Sequence, residues 1–331
     1  MDHFADRLAV ACRAKGNSVC VGLDPRWEFL PDEIRHRHGG ETLEAVARAY
    51  DEFCSRVIDV VAPLVPVVKP QSALFEACGP PGMSALERIL AKARQRGLIT
   101  ILDGKRNDIA STASAYADAG LGGVRIEDRG SKIEEHRDGD PSSILNPRSS
   151  VLHAVWDADG LTVNPYLGRD AVEPFLESAR RSGRGIFVLV RTSNLGAGQF
   201  QDLICDDRPV YVHVAEAVGQ WTRENLAKCG LGDVGAVVGA TYPAEQQSLR
   251  KLIPQVPFLV PGFGAQGGAA KDVAEAFRED GLGAIINSSR GIISSFSTSD
   301  PKWESAVEKA TRETIAVLIQ STPMAGLLRG D

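Results

Sequence analysis

Asp103-Gly104-Lys105-Arg106-Asn107-Asp108-Ile109 follows directly on the apolar run Leu98-Ile99-Thr100-Ile101-Leu102. A short, Ile- and Leu-rich run of this kind predicts a strand buried on both faces. Two carboxylates and an ammonium then crowd the point where that strand should end. Burying such a cluster costs desolvation energy, and a purely structural protein gains little from it. An enzyme uses it to set charge states and to place a proton. A second lysine closes another apolar run, Pro66-Val67-Val68-Lys69-Pro70. The sequence therefore predicts an alternating array of Lys69, Asp103, Lys105 and Asp108.

Working outward, short apolar runs alternate with amphipathic segments along the whole chain. Strands are expected at 19–23, 65–69, 98–103, 160–164, 186–191, 234–240, 257–261 and 283–287. Helical patterns separate them. Leu43, Val46, Ala47, Tyr50, Phe53, Cys54, Val57, Ile58 and Val61 recur at helical spacing. Ser84 and Glu87 form a capping-box pattern, with Gly97 as the stop. Asp170 is expected to cap a helix over 171–182 that Gly183 ends, and Pro243 to open a helix running to Ile253. Eight strand–helix units predict a (β/α)8 TIM barrel forming a single domain over 1–331. A doubly wound open sheet is the alternative, but eight parallel units in ~250 core residues favour closure. The charged, turn-rich segment 121–157 breaks the rhythm between the third helix and the fourth strand. It reads as a surface insertion at the barrel end away from the chemistry, or as a segment serving oligomer contacts or regulation.

Bulk properties narrow the function classes. The 331 residues are 43% hydrophobic and 24% charged, as in an ordinary globular protein. Net charge is -6, so nucleic acid is not an expected partner, and an anionic substrate needs a local Lys/Arg cluster. The six cysteines, at 12, 20, 54, 78, 205 and 229, form no Cys-x-x-Cys pair and read as buried free thiols. No run is long enough for a membrane span, and the N-terminus lacks a signal pattern. The expected location is cytoplasmic.

Barrel enzymes build their sites at the C-terminal ends of strands. Asp24, Lys69, Asp103, Lys105, Ser193, Gln266 and Arg290 all fall at or just beyond such ends. Gly262-Phe263-Gly264-Ala265-Gln266-Gly267-Gly268 follows the seventh strand, and Arg290 follows the eighth. Glycines let backbone N–H groups approach phosphate oxygens, and an arginine binds phosphate through two parallel hydrogen bonds. Loops after strands 7 and 8 are a recurrent phosphate site in such barrels.

The Asp103–Ile109 motif, taken with Gly22-Leu23-Asp24-Pro25, Val68-Lys69-Pro70-Gln71 and Pro261 through Gly268, resembles the orotidine 5'-phosphate decarboxylase family, in its longer, Lys-Pro-Gln-containing type. Each piece is moderately specific, but their order and spacing extend the resemblance over most of the chain. It implies conversion of orotidine 5'-phosphate to UMP and CO2 without metal or cofactor. Asp103 would sit against the substrate carboxylate, and Lys105 would stabilise and then protonate the C6 carbanion. Lys69 would hold Asp103 and the ribose hydroxyls, and Asp24 would bond the ribose. Asp108, Ile109 and Thr112 would reach into a neighbouring subunit, making a homodimer with shared sites. Gln266 and Arg290 would hold the phosphate. Ser193, in the long loop 192–209, would bond the pyrimidine, with Thr192 and Asn194 as alternatives. Asn164 would line the base pocket or serve as a turn residue. The insertion 121–157 departs from the family pattern.

Rival readings differ at named residues. Magnesium-dependent sugar-phosphate decarboxylases and synthases of the same superfamily use an Asp-x-Lys-x-x-Asp motif, with an acidic residue where this chain has Lys69. Lys69-Pro70-Gln71 favours the metal-free reading. A non-catalytic nucleotide binder would be expected to lose part of the array, and none is lost. A decarboxylase of a modified nucleotide remains as a further alternative.

Overall fold

The structure is a computed structural model that describes residues 2–123, 125–126, 150–151, 154–264 and 270–328. Eight parallel strands close into a barrel: β1 (Val19–Leu23), β2 (Val67–Pro70), β3 (Ile99–Arg106), β4 (Gly160–Val163), β5 (Gly185–Arg191), β6 (Val234–Val238), β7 (Phe258–Val260) and β8 (Ala284–Ser288). Neighbours in sequence are neighbours in the barrel, and β8 pairs back onto β1. This is the expected TIM barrel, not the open sheet. The strands read as near-continuous apolar runs because helices cover their outer face and side chains fill the inner one.

Strand β1 matches its expected span at both ends, and six others shift by a residue or two. Strand β3 differs more. It was expected to stop at Asp103, but it continues through Arg106 with a break in register against β4: Leu102 faces Leu161, and Arg106 faces Val163. The charged motif therefore stays in the barrel wall.

Two helix starts also differ. The helix Gly79–Gln95 begins ahead of Ser84, so the Ser84/Glu87 pattern lies inside it and caps nothing. Pro80 and Pro81 occupy its first turn, where their missing N–H groups have no helical partner to lose. Asp170 sits in the first turn of Arg169–Ser182, whose cap is Gly168. The stops at Gly97 and Gly183 hold, both with left-handed backbone. Pro243 opens Pro243–Leu252 as expected.

The N-terminal helix Phe4–Lys15 closes the bottom of the barrel. Phe4 packs edge-on against Phe187 of β5, and Arg7 pairs at 2.5 Å with Asp159, which also accepts from Arg184. The 121–157 insertion joins this same end. Trp156 N–H bonds Ala119 O, Arg94 donates to Trp156 O, and Arg125–Ile126 pairs antiparallel with Ser150–Val151. Most of the insertion lies outside the described residues. Of the cysteines, four are buried as expected, whereas Cys229 is half-buried and Cys205 exposed. Among the described residues, no helix is long and apolar enough to cross a membrane.

Arg250 pins the lower halves of β7 and β8. Its buried guanidinium donates to Ala276 O at 2.9 Å, Val256 O at 2.9 Å and Gly283 O at 2.7 Å, and more weakly to Ile253 O and Pro254 O. It also stacks on Phe258, 3.7 Å from the ring centre. Burial, with repulsion from Arg278, pushes its pKa down to about 9, so it stays charged at neutral pH. Arg250→Met keeps the stem but strands several buried carbonyls. It is expected to lower unfolding free energy by about 3 kcal/mol in urea titration. A loss under about 1 kcal/mol would show that those carbonyls find other donors.

Candidate active site

The site is built on the Asp103 carboxylate, buried at the C-terminal end of the barrel. Each of its oxygens accepts two donors. Oδ2 takes Lys69 Nζ at 2.5 Å and Gln71 Nε2 at 3.3 Å. Oδ1 takes Lys105 Nζ at 2.7 Å and Thr162 Oγ1 at 3.0 Å. The donors come from β2 and the residue after it, from β3 itself and from β4. Closure of the barrel brings these side chains together from segments far apart in sequence. Ser72 Oγ adds a bond to the Asp103 carbonyl at 3.3 Å.

The electrostatics follow from this packing. Burial alone would raise the Asp103 pKa, but Lys69 and Lys105 outweigh it and hold the carboxyl well below the usual range. Burial would lower the pKa of Lys69, but Asp103 and then Asp24 outweigh it and hold the ammonium above its usual value. Both groups are therefore ionised across the neutral range. Lys105 is the exposed member. Its side chain is 47% exposed against 5% for Lys69, and its backbone has φ 44°, a region that side-chain-bearing residues rarely occupy. Such strain clusters at functional sites.

Of the four array residues expected from sequence, three meet. Asp108 does not join them: its Oδ1 accepts from Ile109 N–H at 2.8 Å, within its own loop. Ile109 is 55% exposed, and Thr112, on the helix Ala110–Ala117, is exposed too.

Asp24, just past β1, accepts from Ser289 Oγ at 2.6 Å through Oδ2, while its buried Oδ1 has no hydrogen-bond partner among the described residues. Asn164 follows β4; its Oδ1 accepts from Tyr166 N–H at 3.0 Å, which is the turn role. Ser193 lies against β6. A Cβ on Gly239 would come within 2.9 Å of the Ser193 nitrogen, so only glycine permits that approach. Gly262 and Gly264 have φ 92° and 73°, the left-handed backbone that a tight turn after β7 requires. Arg290 is exposed at the start of Arg290–Ile293, after β8, and forms no ion pair among the described residues. Gln266 lies outside the described residues.

Sequence reasoning assigned no role to Gln71, Thr162 or Arg191. Arg191 ends β5 with its guanidinium buried over Tyr242, 3.8 Å from the ring centre. It donates to Gln201 at 3.2 Å and pairs with Asp202 at 3.2 Å, while Gln201 also bonds Thr192. The 192–209 loop is thereby anchored at its root, while Leu195 at its tip is fully exposed. A charge closing an apolar strand is the signal that singled out Lys69, and it was equally present at Arg191. Thr162 gave no signal, because threonine is an ordinary strand residue. Among the described residues, no three His, Cys, Asp or Glu side chains are grouped to hold a metal ion.

Comparison with known proteins follows the same lines. The model of the "Orotidine 5'-phosphate decarboxylase / HUMPS family" matches residues 17–129 and 149–302. An orotidine 5'-phosphate decarboxylase of Rhodopirellula baltica is 47% identical, over 94% of this chain and 97% of that protein. One from Caldicellulosiruptor bescii is 36% identical, over 88% and 90%. The solved structure of Leishmania donovani OMP decarboxylase superposes with TM-score 0.67 at 31% identity, covering 96% of this chain and 99% of that one. With the lysine–aspartate array standing at the strand ends of a closed barrel, and likeness running through nearly the whole length, the chain belongs to the orotidine 5'-phosphate decarboxylase / HUMPS family.

Proposed function

We propose that this chain decarboxylates orotidine 5'-phosphate to UMP and CO2 in pyrimidine biosynthesis, with no metal or cofactor taking part. The observation that carries the reading is the Asp103 carboxylate, buried and held between Lys69 and Lys105. A pyrimidine carboxylate at C6, seated against this array, lies beside a second fixed anion. That repulsion raises the ground state and is relieved as CO2 leaves. The C6–carboxylate bond breaks and its electron pair stays on C6. The Lys105 ammonium favours that charge, then gives C6 a proton and regains one from water. Lys69 suits the metal-free reading: it supplies a permanent positive charge where the magnesium-dependent relatives are expected to carry an acid.

The remaining residues bind. Asp24 offers its unpartnered oxygen to a ribose hydroxyl. Ser193 bonds the pyrimidine, with Asn164 beside it. The turn at Gly262 and Gly264, Arg290 and Gln266 take the phosphate. Asp108, Ile109 and Thr112 complete the site of a second copy in a homodimer. The exposure of Ile109 and Thr112, and the absence of any described bond from Asp108 to its own array, support that arrangement. The enzyme acts as one barrel domain in the cytoplasm.

The first test is loss of orotidine 5'-phosphate absorbance with purified protein in excess EDTA. Conversion to UMP is expected, with Lys105→Ala slower by roughly 10^4-fold or more and still binding UMP. No turnover in EDTA, restored by magnesium, would reverse the metal-free reading. Sharing of sites is tested by mixing inactive Lys105→Ala and Asp108→Ala subunits. Partial recovery is expected, and none despite demonstrated subunit exchange would remove the shared site.

A pH prediction follows from the buried pair. The folded pKa of Asp103 lies below its ordinary value of about 3.9, so its stabilisation is complete above that value and lost as pH falls through the folded one. That of Lys69 lies above about 10.4, so its stabilisation is complete below that value and lost as pH rises through the folded one. Asp103→Asn leaves Lys69 buried without the carboxylate it bonds and should cost about 3 kcal/mol at neutral pH. In urea unfolding, the gap between parent and variant should be largest around neutral pH and narrow below about pH 4. A gap that widened in acid would contradict the assignment.

A further inference from the structure

We infer that Thr162 is a positioning residue for the decarboxylation step, its single hydroxyl fixing both the Asp103 carboxylate and the backbone of Lys105. The inference rests on the proposed reaction. Thr162 Oγ1 donates to Asp103 Oδ1 at 3.0 Å and accepts from Lys105 N–H at 2.8 Å. The side chain is buried on β4, between Leu161 and Val163.

The need for this tie comes from the break in β3. Between Leu102 and Arg106 the β3–β4 register shifts, and the regular ladder is interrupted. The Lys105 N–H falls within that gap. Left there, it would be a donor without a ladder partner, on a residue already strained at φ 44°. The threonine hydroxyl fills the gap. Asn164 N–H closes the far side by bonding Arg106 O at 2.9 Å.

The same hydroxyl sets a direction. Lys105 has a long, half-exposed side chain whose ammonium is held at its tip by Asp103 Oδ1 and at its root by Thr162. Asp103 Oδ1 is in turn shared by Lys105 and Thr162. Proton donor and repelling carboxylate are therefore registered to one another through a neutral, buried group whose hydroxyl is already engaged by both. Removing it leaves every charge in place and loosens only the geometry, and reaction rates fall steeply with small misplacements.

Thr162→Val replaces the hydroxyl by a methyl of similar shape, while Thr162→Ser keeps the hydroxyl and gives up the methyl. The valine variant is expected to lose roughly tenfold to a hundredfold in kcat, with KM for orotidine 5'-phosphate and affinity for UMP within about threefold of the parent. The serine variant is expected to recover most of the kcat. Amide hydrogen exchange at Lys105 should speed up in the valine variant and not in the serine variant, while amides of β6 and β7 stay as in the parent. Thr162→Ala removes the same two bonds and replaces the valine variant should that fail to fold.

An active parent whose Val or Ala variant keeps full kcat overturns the inference. So does equal loss in the Ser and Val variants, which would mark a packing role. An inactive parent would fail the functional reading itself and with it the kinetic half of this inference. The exchange measurement is separate from activity: unchanged protection at Lys105 without the hydroxyl would overturn the backbone tie.

Discussion

The Asp103 carboxylate is the constraint on which the rest of the site depends. A buried carboxylate must be paired and hydrogen-bonded on all sides, or it protonates and loses its charge. Here two ammoniums, one amide and one hydroxyl supply four donors. The four donors come from or just past three strands rather than from one stretch of chain. Strands β2, β3 and β4 bring them together, because parallel strands in a barrel end side by side on the same face. The strand extension of β3 through Arg106 follows from this. Had the strand ended at Asp103, Lys105 would leave the wall and its ammonium would lose the fixed reach to Oδ1.

Much of this was legible in the sequence, for physical reasons that differ by residue. The barrel was legible because strands buried on both faces are written as apolar runs, and eight such runs separated by helical patterns leave few closed arrangements. Lys69, Asp103 and Lys105 were legible because charge placed against an apolar strand end is costly and therefore informative. Asp108 was read into the array from its place in the motif, and its reach into a second copy came from resemblance alone; within one chain it turns to its own Ile109. Thr162 carries no charge and suits any strand, so nothing local marked it. Gly79–Gln95 starts ahead of the Ser84/Glu87 capping pattern because Pro80 and Pro81 open its first turn. Proline fixes φ whatever surrounds it, whereas a capping box forms only where a helix begins.

The site divides into a buried half and an exposed half. Lys69 and Asp103 are buried in the wall, and Thr162 with them. Lys105 is half exposed, and the 192–209 loop runs out to a bare Leu195. The exposed parts are tied to the barrel by buried groups: Lys105 by Thr162, and the loop by Arg191 through Gln201 and Asp202. Positive-φ backbone at Lys105 and at Ala110, φ 44° and 47°, brackets the Asp108 turn, a conformation the surrounding structure has to hold in place.

The same lone-pair count bears on metal use. A divalent cation in such a barrel is held by carboxylate oxygens. Both oxygens of Asp103 already accept two donors each, and one donor on each is an ammonium. A cation approaching Oδ2 would have to displace Lys69, which is buried and held in its charged form by Asp103 and Asp24. One approaching Oδ1 would have to displace Lys105, the group placed to deliver the proton in the proposed reaction. Lys69 therefore fills the space around Oδ2 with N–H donors and supplies the site with a positive charge of its own.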